Sequence, residues 1–322
     1  MIDRQEIKIL VDRHLAEARK AMLPRVRKAF DSLLQERRLL QPDPAPYFAA
    51  LGHPLFELPV WVAGRLNDEG VQTPVETLAD VLGISALGYL HARAQDDWLD
   101  GASREDPTLI ALAESLLALC NRLLVSVVGS SSRFWGFYCE VLNDYAESLL
   151  HTDELRRRKA PVSRSTFEQL LAQSKPLMIP SAAVLDRADR WELCPHLEEF
   201  VFSATAAAQL YNDLTDIYTD RQMGQRTWTI EAIGDSEADQ LWMEVAGISE
   251  GREGGRIQER VREALLFHQR SAQAAQTLGL SAAEDWLAVR RAALEDLPRS
   301  LHANLRSAFV RRIAGPAAGQ GG

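Results

Sequence analysis

The chain has 322 residues, of which 46% are hydrophobic and 25% charged, and its formal net charge is −9. This length can bury a sizeable core, and the composition is that of an ordinary globular protein. The negative charge argues against nucleic acid as a partner, because binding a phosphate backbone requires a clustered basic surface.

The ends of the chain and its three cysteines carry no targeting or metal-binding pattern. Residues 1–20 read as a charged amphipathic helix rather than a signal peptide, and no uninterrupted apolar run predicts a membrane span. The cysteine usage predicts reduced thiols and a cytoplasmic location. Residues 1–314 are predicted to form a single domain, and the Gly-rich residues 315–322 are expected to be a disordered tail.

Apolar residues recur at three- and four-residue spacing along almost the whole chain, which predicts helices and no strands. Two capping boxes, Thr73–Glu76 and Ser165–Glu168, mark helix starts. The fold class is therefore predicted to be all-α, built as a helical bundle. The ten predicted helices cover residues 2–38, 45–68, 74–100, 107–128, 131–151, 166–187, 195–222, 236–248, 254–277 and 281–313.

A first acidic cluster ends the third predicted helix. Asp96 and Asp100 are four residues apart and share a helix face, with Asp97 beside them. Carboxylates at this end repel one another and face the negative end of the helix dipole. Mg²⁺ would compensate this charge, because it prefers oxygen ligands and is commonly held by one or two carboxylates together with a substrate's phosphates.

A second acidic cluster ends the seventh predicted helix. Asn212, Asp216 and Asp220 recur at every fourth position and would place three oxygen ligands on one stripe, flanked by Asp213. A single cluster of this kind is usually a solvated surface. Two such clusters predict a clamp in which two or three Mg²⁺ ions hold a diphosphate.

The order and spacing of these motifs resemble the isoprenoid synthase superfamily over roughly residues 45–313. The first cluster matches the family's DDxxD motif. The second is a hybrid, because Asn212 and Asp213 open it as in the NDxxSxxxE motif of the cyclases, whereas Asp216 and Asp220 stand where a cyclase has serine or threonine and glutamate. The resemblance implies antiparallel helices around a deep central cavity, a prenyl diphosphate substrate and a homodimer.

Two cations match positions at which the family contacts the diphosphate. Lys175, within Ser-Lys-Pro, resembles the lysine that grips the allylic substrate. Arg226, within Gly-Gln-Arg-Thr, stands near a position that carries lysine in the family. The resemblance therefore implies that both side chains donate to the diphosphate.

The binding segments for a second substrate are altered. Family members that elongate chains hold isopentenyl diphosphate with Gly-Lys-Arg-x-Arg-Pro and with two arginines after DDxxD. Here Gly52–Glu57 and Ser103–Asp106 stand in those places. The first segment lacks three cations and the second lacks one arginine, and both contain acids, although a diphosphate requires charge-assisted donors. This favours a class I terpene synthase that cyclises a C15–C25 prenyl diphosphate. Chain elongation, prenyl transfer to another acceptor and a silent partner subunit remain alternatives.

Side chains preceding the acidic clusters suggest a pocket. Small residues stand one and two turns before each cluster, which favours a deep cavity. Most aromatic residues at helical spacing belong to a core, so two or three of the candidates are expected to line the pocket. The pocket candidates are Gly88, Ala92, Ala204 and Ala208 among small residues, and Phe134, Trp135, Phe137, Tyr138, Phe202, Tyr211 and Trp228 among aromatic ones.

Overall fold

The fold was analysed in a computed structural model, which describes residues 4–37, 39, 56–99, 107–222, 224–233 and 255–313, the last twelve by their backbone alone. All regular structure within these ranges is helical, and no strand occurs among them, which confirms the predicted all-α class. The predicted helix 236–248, the altered segments 52–55 and 103–106 and the tail 315–322 lie outside the described residues.

The helices follow the predicted order closely. Three short 3₁₀ segments, Leu171–Met178, Trp191–Leu193 and Ser281–Ala283, connect α-helices. The α-helices are α1 (Arg4–Ala21), α2 (Pro24–Glu36), α3 (Glu57–Asp68), α4 (Val75–Leu99), α5 (Pro107–Val128), α6 (Ser132–Arg158), α7 (Arg164–Leu170), α8 (Ile179–Arg187), α9 (Cys194–Thr215), α10 (Ile217–Gln222), α11 (Trp228–Ile233), α12 (Arg256–Leu278) and α13 (Glu284–Ile313).

Prolines and caps explain where the helix bounds differ from the prediction. The predicted helix 2–38 divides because Pro24 forces the preceding Leu23 into an extended conformation. Helix α7 begins two residues earlier than predicted, since the Ser163 hydroxyl accepts a hydrogen bond from the Thr166 amide at 3.1 Å. The single helix predicted over 166–187 is interrupted by the 3₁₀ segment, which contains Pro176. Proline cannot donate the i→i−4 hydrogen bond of an α-helix.

The helices fall into two compact units, and the first comprises residues 1–145, 175–198 and 275–283. Within it α4 and α5 pack along each other, α1 contacts α4, and α2 contacts α5. Helix α8 contacts α3, α4 and α5. The side chains of Leu82, Leu90 and Leu116 are fully buried in this core. Helix α1 therefore packs against the helix that ends in the first acidic cluster.

Helix α5 is apolar enough to be compared with a membrane span. It is the one helix in the described ranges with the length and composition to cross a bilayer, and a third of its most apolar stretch is buried. Leu112, Leu116 and Leu124 point into the core of the first unit. Because core helices commonly pass the same test, the described residues show no clear transmembrane segment.

The second unit comprises residues 146–174, 199–274 and 284–322. One hydrophobic cluster joins the end of α9 to α10, α11 and α13 through Leu214, Ile217, Ile230 and Leu297. Another packs α7, α9, α12 and α13 together. The segment that follows the second acidic cluster is thus fixed to this unit by apolar contacts. The single domain predicted for residues 1–314 stays a prediction.

Candidate functional site

The first acidic cluster lies in the last turn of α4. Asp97 accepts hydrogen bonds from Arg37 Nη2 at 2.7 Å (Oδ1) and 3.0 Å (Oδ2). Asp96 accepts one from Arg93 Nη1 at 2.9 Å, and Arg93 also reaches Asp97 at 3.4 Å. Charge-assisted bonds of this kind offset the carboxylate charge at a helix C-terminus. Asp100, the third predicted ligand of this cluster, lies outside the described residues.

Two tyrosines that the sequence did not single out stand close to this cluster. The Tyr145 hydroxyl donates to Gln95 Oε1 at 2.9 Å, and burial together with the charge of Asp96 raises the Tyr145 pKa. Burial also raises the pKa of Tyr89, which lies within electrostatic reach of Arg93. Because Tyr89 lies one helical turn before Arg93, helical spacing alone could have placed it near the cluster. Tyr145 comes from α6, so no local pattern pointed to it.

The small residues that precede Asp96 border open space. Gly88 and Ala92 are half-buried, and a Cβ added at Gly88 would meet no atom of the described residues within 4 Å. Gly83, earlier in the same helix, is different, because a Cβ there would lie 2.7 Å from His14 Cγ. The helix is therefore tightly packed near its middle and open beside the residues predicted to line a pocket.

The aromatic residues at the start of α6 form a packed group. Phe134 is fully buried, and its ring lies 5.5 Å from that of Trp135. The Tyr138 hydroxyl donates to Asn121 Oδ1 at 2.5 Å, and Trp135 Nε1 donates to the Gly129 carbonyl at 2.9 Å. These contacts satisfy the polar ends of both side chains, as expected of core aromatics. Their predicted role in lining a pocket stays a prediction.

Lys175 lies in the 3₁₀ segment Leu171–Met178 and bonds two carboxylates. Its ammonium donates to Asp144 Oδ2 at 2.5 Å and lies 3.3 Å from Glu198 Oε1. Although burial lowers its pKa, the hydrogen bond to Asp144 and the charge of Glu198 outweigh this effect and raise the Lys175 pKa. The lysine is therefore a fully charged cation at neutral pH.

The second acidic cluster spans a bend between α9 and α10. The helix is interrupted at Asp216, yet the Asp216 amide donates to the Asn212 carbonyl and the Asp220 amide to the Asp216 carbonyl, both at 2.9 Å. The predicted four-residue spacing is thus retained. The side chains of Asn212 and Asp216 are exposed, and that of Asp220 is half-buried. Burial, and then the charge of Asp216, raise the Asp220 pKa.

Asp213 differs from its neighbours because it is buried, with 4% of its surface exposed. Its Oδ1 accepts a hydrogen bond from Gln209 Nε2 at 2.7 Å. Burial raises the pKa of Asp213 to about 6, and the charge of Asp220 adds to the rise against the opposing effects of Gln209, Thr229 and Thr227. Asp213, predicted to be a metal ligand, thus lies withdrawn from solvent between two exposed ligand candidates.

Arg226 and Trp228, which follow this cluster, are both engaged within the second unit. Arg226 donates through Nε and Nη2 to the carboxylate of Glu231, the Nη2 bond measuring 3.0 Å. The Arg260 guanidinium lies 4.7 Å from the centre of the Trp228 ring, whose Nε1 donates to Glu263 at 3.4 Å. Of the remaining pocket candidates, Ala204 is buried on α9. The others are half-buried, on α6 (Phe137) and on α9 (Phe202, Ala208 and Tyr211).

The donor chemistry of the second cluster fits a hard divalent cation. Asn212 and Asp216 offer exposed oxygen atoms one turn apart, which suits Mg²⁺ with its preference for oxygen ligands and retained water. Asp213 does not fit as a direct ligand while its carboxylate is buried. Within the described ranges, no three side chains of His, Cys, Asp or Glu converge into a complete metal site.

Comparisons with known proteins do not extend this description. No protein-family model matches the chain, and neither the curated proteins nor the solved structures contain a significant match to it.

Proposed function

We propose that the chain is a Mg²⁺-dependent class I terpene synthase, which ionises a linear prenyl diphosphate and cyclises the resulting carbocation. The observation that carries this proposal is the pattern of exposure at the end of α9. Asn212 and Asp216 are exposed one helical turn apart, while Asp213 between them is buried. This exposure supports the proposal, since a metal bound together with its substrate must reach its ligands from solvent.

The charged side chains divide into two roles in this proposal. Asp96, Asn212 and Asp216 would hold Mg²⁺, with Asp97 and Asp220 as supporting groups. Lys175 and Arg226 would donate hydrogen bonds to the diphosphate as negative charge develops on it. When bound, Mg²⁺ supplies Lewis-acid stabilisation of the leaving diphosphate.

The hydrocarbon part of the substrate requires space and protection from water. Ala92 and Gly88 lie one and two turns before Asp96 on α4, and a Cβ at Gly88 would meet no atom within 4 Å among the residues that the structure describes. Tyr89 and Tyr145 lie near the same end of the helix, where their rings could face a cation. These features support an apolar chain lying beside the first cluster.

Cyclisation is favoured over chain elongation by two altered segments of the sequence. An acceptor diphosphate requires charge-assisted donors, whereas His53 and Pro54 replace cations of the first segment, and Glu105 and Asp106 follow the single arginine of the second. Without an acceptor, the carbocation must react with double bonds of the same prenyl chain from which it formed. Chain elongation is the second candidate, because the metal motifs are common to both branches.

The test is product analysis of purified protein with Mg²⁺. Farnesyl, geranylgeranyl and geranylfarnesyl diphosphates are supplied separately, each with and without isopentenyl diphosphate, and the extracts are examined by mass spectrometry. A hydrocarbon or terpene alcohol formed without isopentenyl diphosphate is expected. A longer prenyl diphosphate that appears only when isopentenyl diphosphate is present would establish elongation instead.

A further inference from the structure

The two carboxylates that hold Lys175 come from different helices. Asp144 lies on α6, and Glu198 lies in the second turn of α9. Their oxygens stand 2.5 Å and 3.3 Å from Lys175 Nζ, on a side chain that is 28% exposed. Asp144 and Glu198 are themselves about half exposed, at 49% and 48%. An anion from solvent would therefore compete with these two acids for the ammonium.

The charges of this group do not cancel. One lysine between two carboxylates leaves a net charge of −1, so an approaching anion is repelled until the lysine turns away from at least one acid. Ion pairs this exposed contribute little to stability, and a strongly charged ligand can displace them. A ligand with few charges gains too little from the exchange, whereas a diphosphate gains several charge-assisted bonds.

Building on the proposed function, we propose that Asp144 and Glu198 are positioning residues that hold Lys175 in a resting ion pair, which the diphosphate of the substrate must displace. The pair makes the site selective for diphosphates over monophosphates. The two acids also prevent Lys175 from binding inorganic phosphate when no substrate is present.

A purely structural role gives a different expectation. If Asp144 and Glu198 served only to join α6 to α9 through Lys175, their removal would lower thermal stability and leave the affinity for anions unchanged or weaker. The resting-pair role predicts the opposite for affinity, because removal of the two carboxylates leaves the ammonium available and removes their repulsion of the anion.

The test is calorimetric titration of the full chain with inorganic diphosphate, and separately with inorganic phosphate, in the presence of Mg²⁺. The double variant Asp144→Asn/Glu198→Gln is expected to bind diphosphate about three- to tenfold more tightly than the wild type, and to gain more for phosphate. Glu147→Gln is the control, because it removes an equal charge from the exposed surface of α6 one turn away. Its affinity is expected to stay within about twofold of the wild type.

A third variant assigns the effect to the lysine. Adding Lys175→Met to the double variant is expected to abolish the gain. Equal affinities for the wild type and the double variant, a gain that persists without Lys175, or no binding by either protein would overturn the proposal. Asp144→Asn alone is expected to shift affinity in the same direction, which keeps the test usable if the double variant does not fold.

This outcome is separable from that of the proposed function. Tighter diphosphate binding by the double variant, without product from any prenyl diphosphate, would support the resting pair and contradict cyclisation. Product formation with unchanged diphosphate affinity would support cyclisation and contradict the resting pair.

Discussion

The first and second acidic clusters both follow a long apolar helix, yet they accommodate their charge differently. In the first, Arg37 and Arg93 bond the carboxylates of Asp97 and Asp96. In the second, Asp213 is buried beside Gln209, and burial, with a contribution from a neighbouring carboxylate, raises the pKa of Asp213 and of Asp220. Repulsion between acids at a helix end therefore does not by itself indicate a metal, because arginines satisfy it in the first cluster.

Within the two clusters, some acids are bonded to arginine or buried, and others are exposed. Both oxygens of Asp97 accept hydrogen bonds from Arg37, and Asp213 is buried on α9. Asn212 and Asp216 are the exposed residues of the second cluster. The ligands that a substrate-bound cation can reach are thus expected at every fourth position of a motif rather than at every acid.

The largest expected effect is on turnover. Asn212→Ala and Asp96→Ala should each lower product formation by at least about a hundredfold, because each removes a proposed metal ligand that acts as the diphosphate departs. Product is quantified by gas chromatography, and far-ultraviolet circular dichroism reports the helix content, which is expected to be unchanged. Activity retained in either variant would contradict the metal assignment for that cluster.

Asp213→Asn tests whether the buried acid is a structural group. Its pKa is near its ordinary value in the unfolded chain and about 6 in the folded one, so unfolding releases a proton between these values and stability falls as pH rises through them. At neutral pH the buried charge of Asp213 lowers the free energy of unfolding by roughly 2 to 3 kcal/mol. The variant can keep the Gln209 bond and is expected to gain stability at pH 7.5 relative to the wild type, and little at pH 4.

Urea denaturation of both proteins at the two pH values measures this difference. The same preparations, assayed for turnover, separate the two interpretations of Asp213. A structural acid predicts that Asp213→Asn retains most activity. A loss as large as that expected of Asn212→Ala would show that Asp213 contacts the metal.

Arg37→Ala tests the arginine pairing of the first cluster. The variant leaves Asp97 without its closest partner, and a loss of about 1 kcal/mol is expected because the pair is only partly buried. Chemical denaturation measures it, and a double-mutant cycle with Asp97→Asn isolates the pairwise energy. If the cycle gives no coupling, the arginine does not stabilise the cluster.

The smallest expected effect concerns the open side of α4. Gly88→Ala should stabilise the helix by about 0.5 to 1 kcal/mol, because alanine is the better helix former and its Cβ would meet no neighbour in the described part of the chain. Gly83→Ala is the matched control and should destabilise, since its Cβ would lie 2.7 Å from His14. Thermal melts compare the two. Destabilisation by Gly88→Ala would mean that the space beside it is filled.

The sequence predicted the helices well because the apolar spacing and prolines are local signals. It placed α4 and α5 within about a residue, whereas the helix predicted over 195–222 divides at Asp216 into α9 and α10. It missed the short α11, whose start is marked only by the Thr227 hydroxyl, which accepts a hydrogen bond from the Ile230 amide. The partners of the acidic residues were harder to predict. Arg37 bonds Asp97 across 60 residues, and Lys175 bonds Asp144 across 31. Such contacts depend on tertiary packing, which a motif does not encode.

The motif also did not predict that Asp213 is buried. Its spacing placed it beside Asn212 and Asp216 as an equal candidate, whereas the contacts of Leu214 and Ile230 draw that side of α9 into the core. Helical periodicity alone could have suggested this, since Asp213 and the buried Leu210 and Leu214 share a helix side.

The central claim is that the exposed residues of the second cluster support ionisation of a prenyl diphosphate without a second substrate. The most direct measurement is Mg²⁺-dependent release of inorganic diphosphate from geranylgeranyl diphosphate, with farnesyl and geranylfarnesyl diphosphates in parallel and isopentenyl diphosphate omitted. The account predicts release by the wild type and by Asp213→Asn, and almost none by Asn212→Ala. Release that requires isopentenyl diphosphate, or that survives Asn212→Ala, would contradict it.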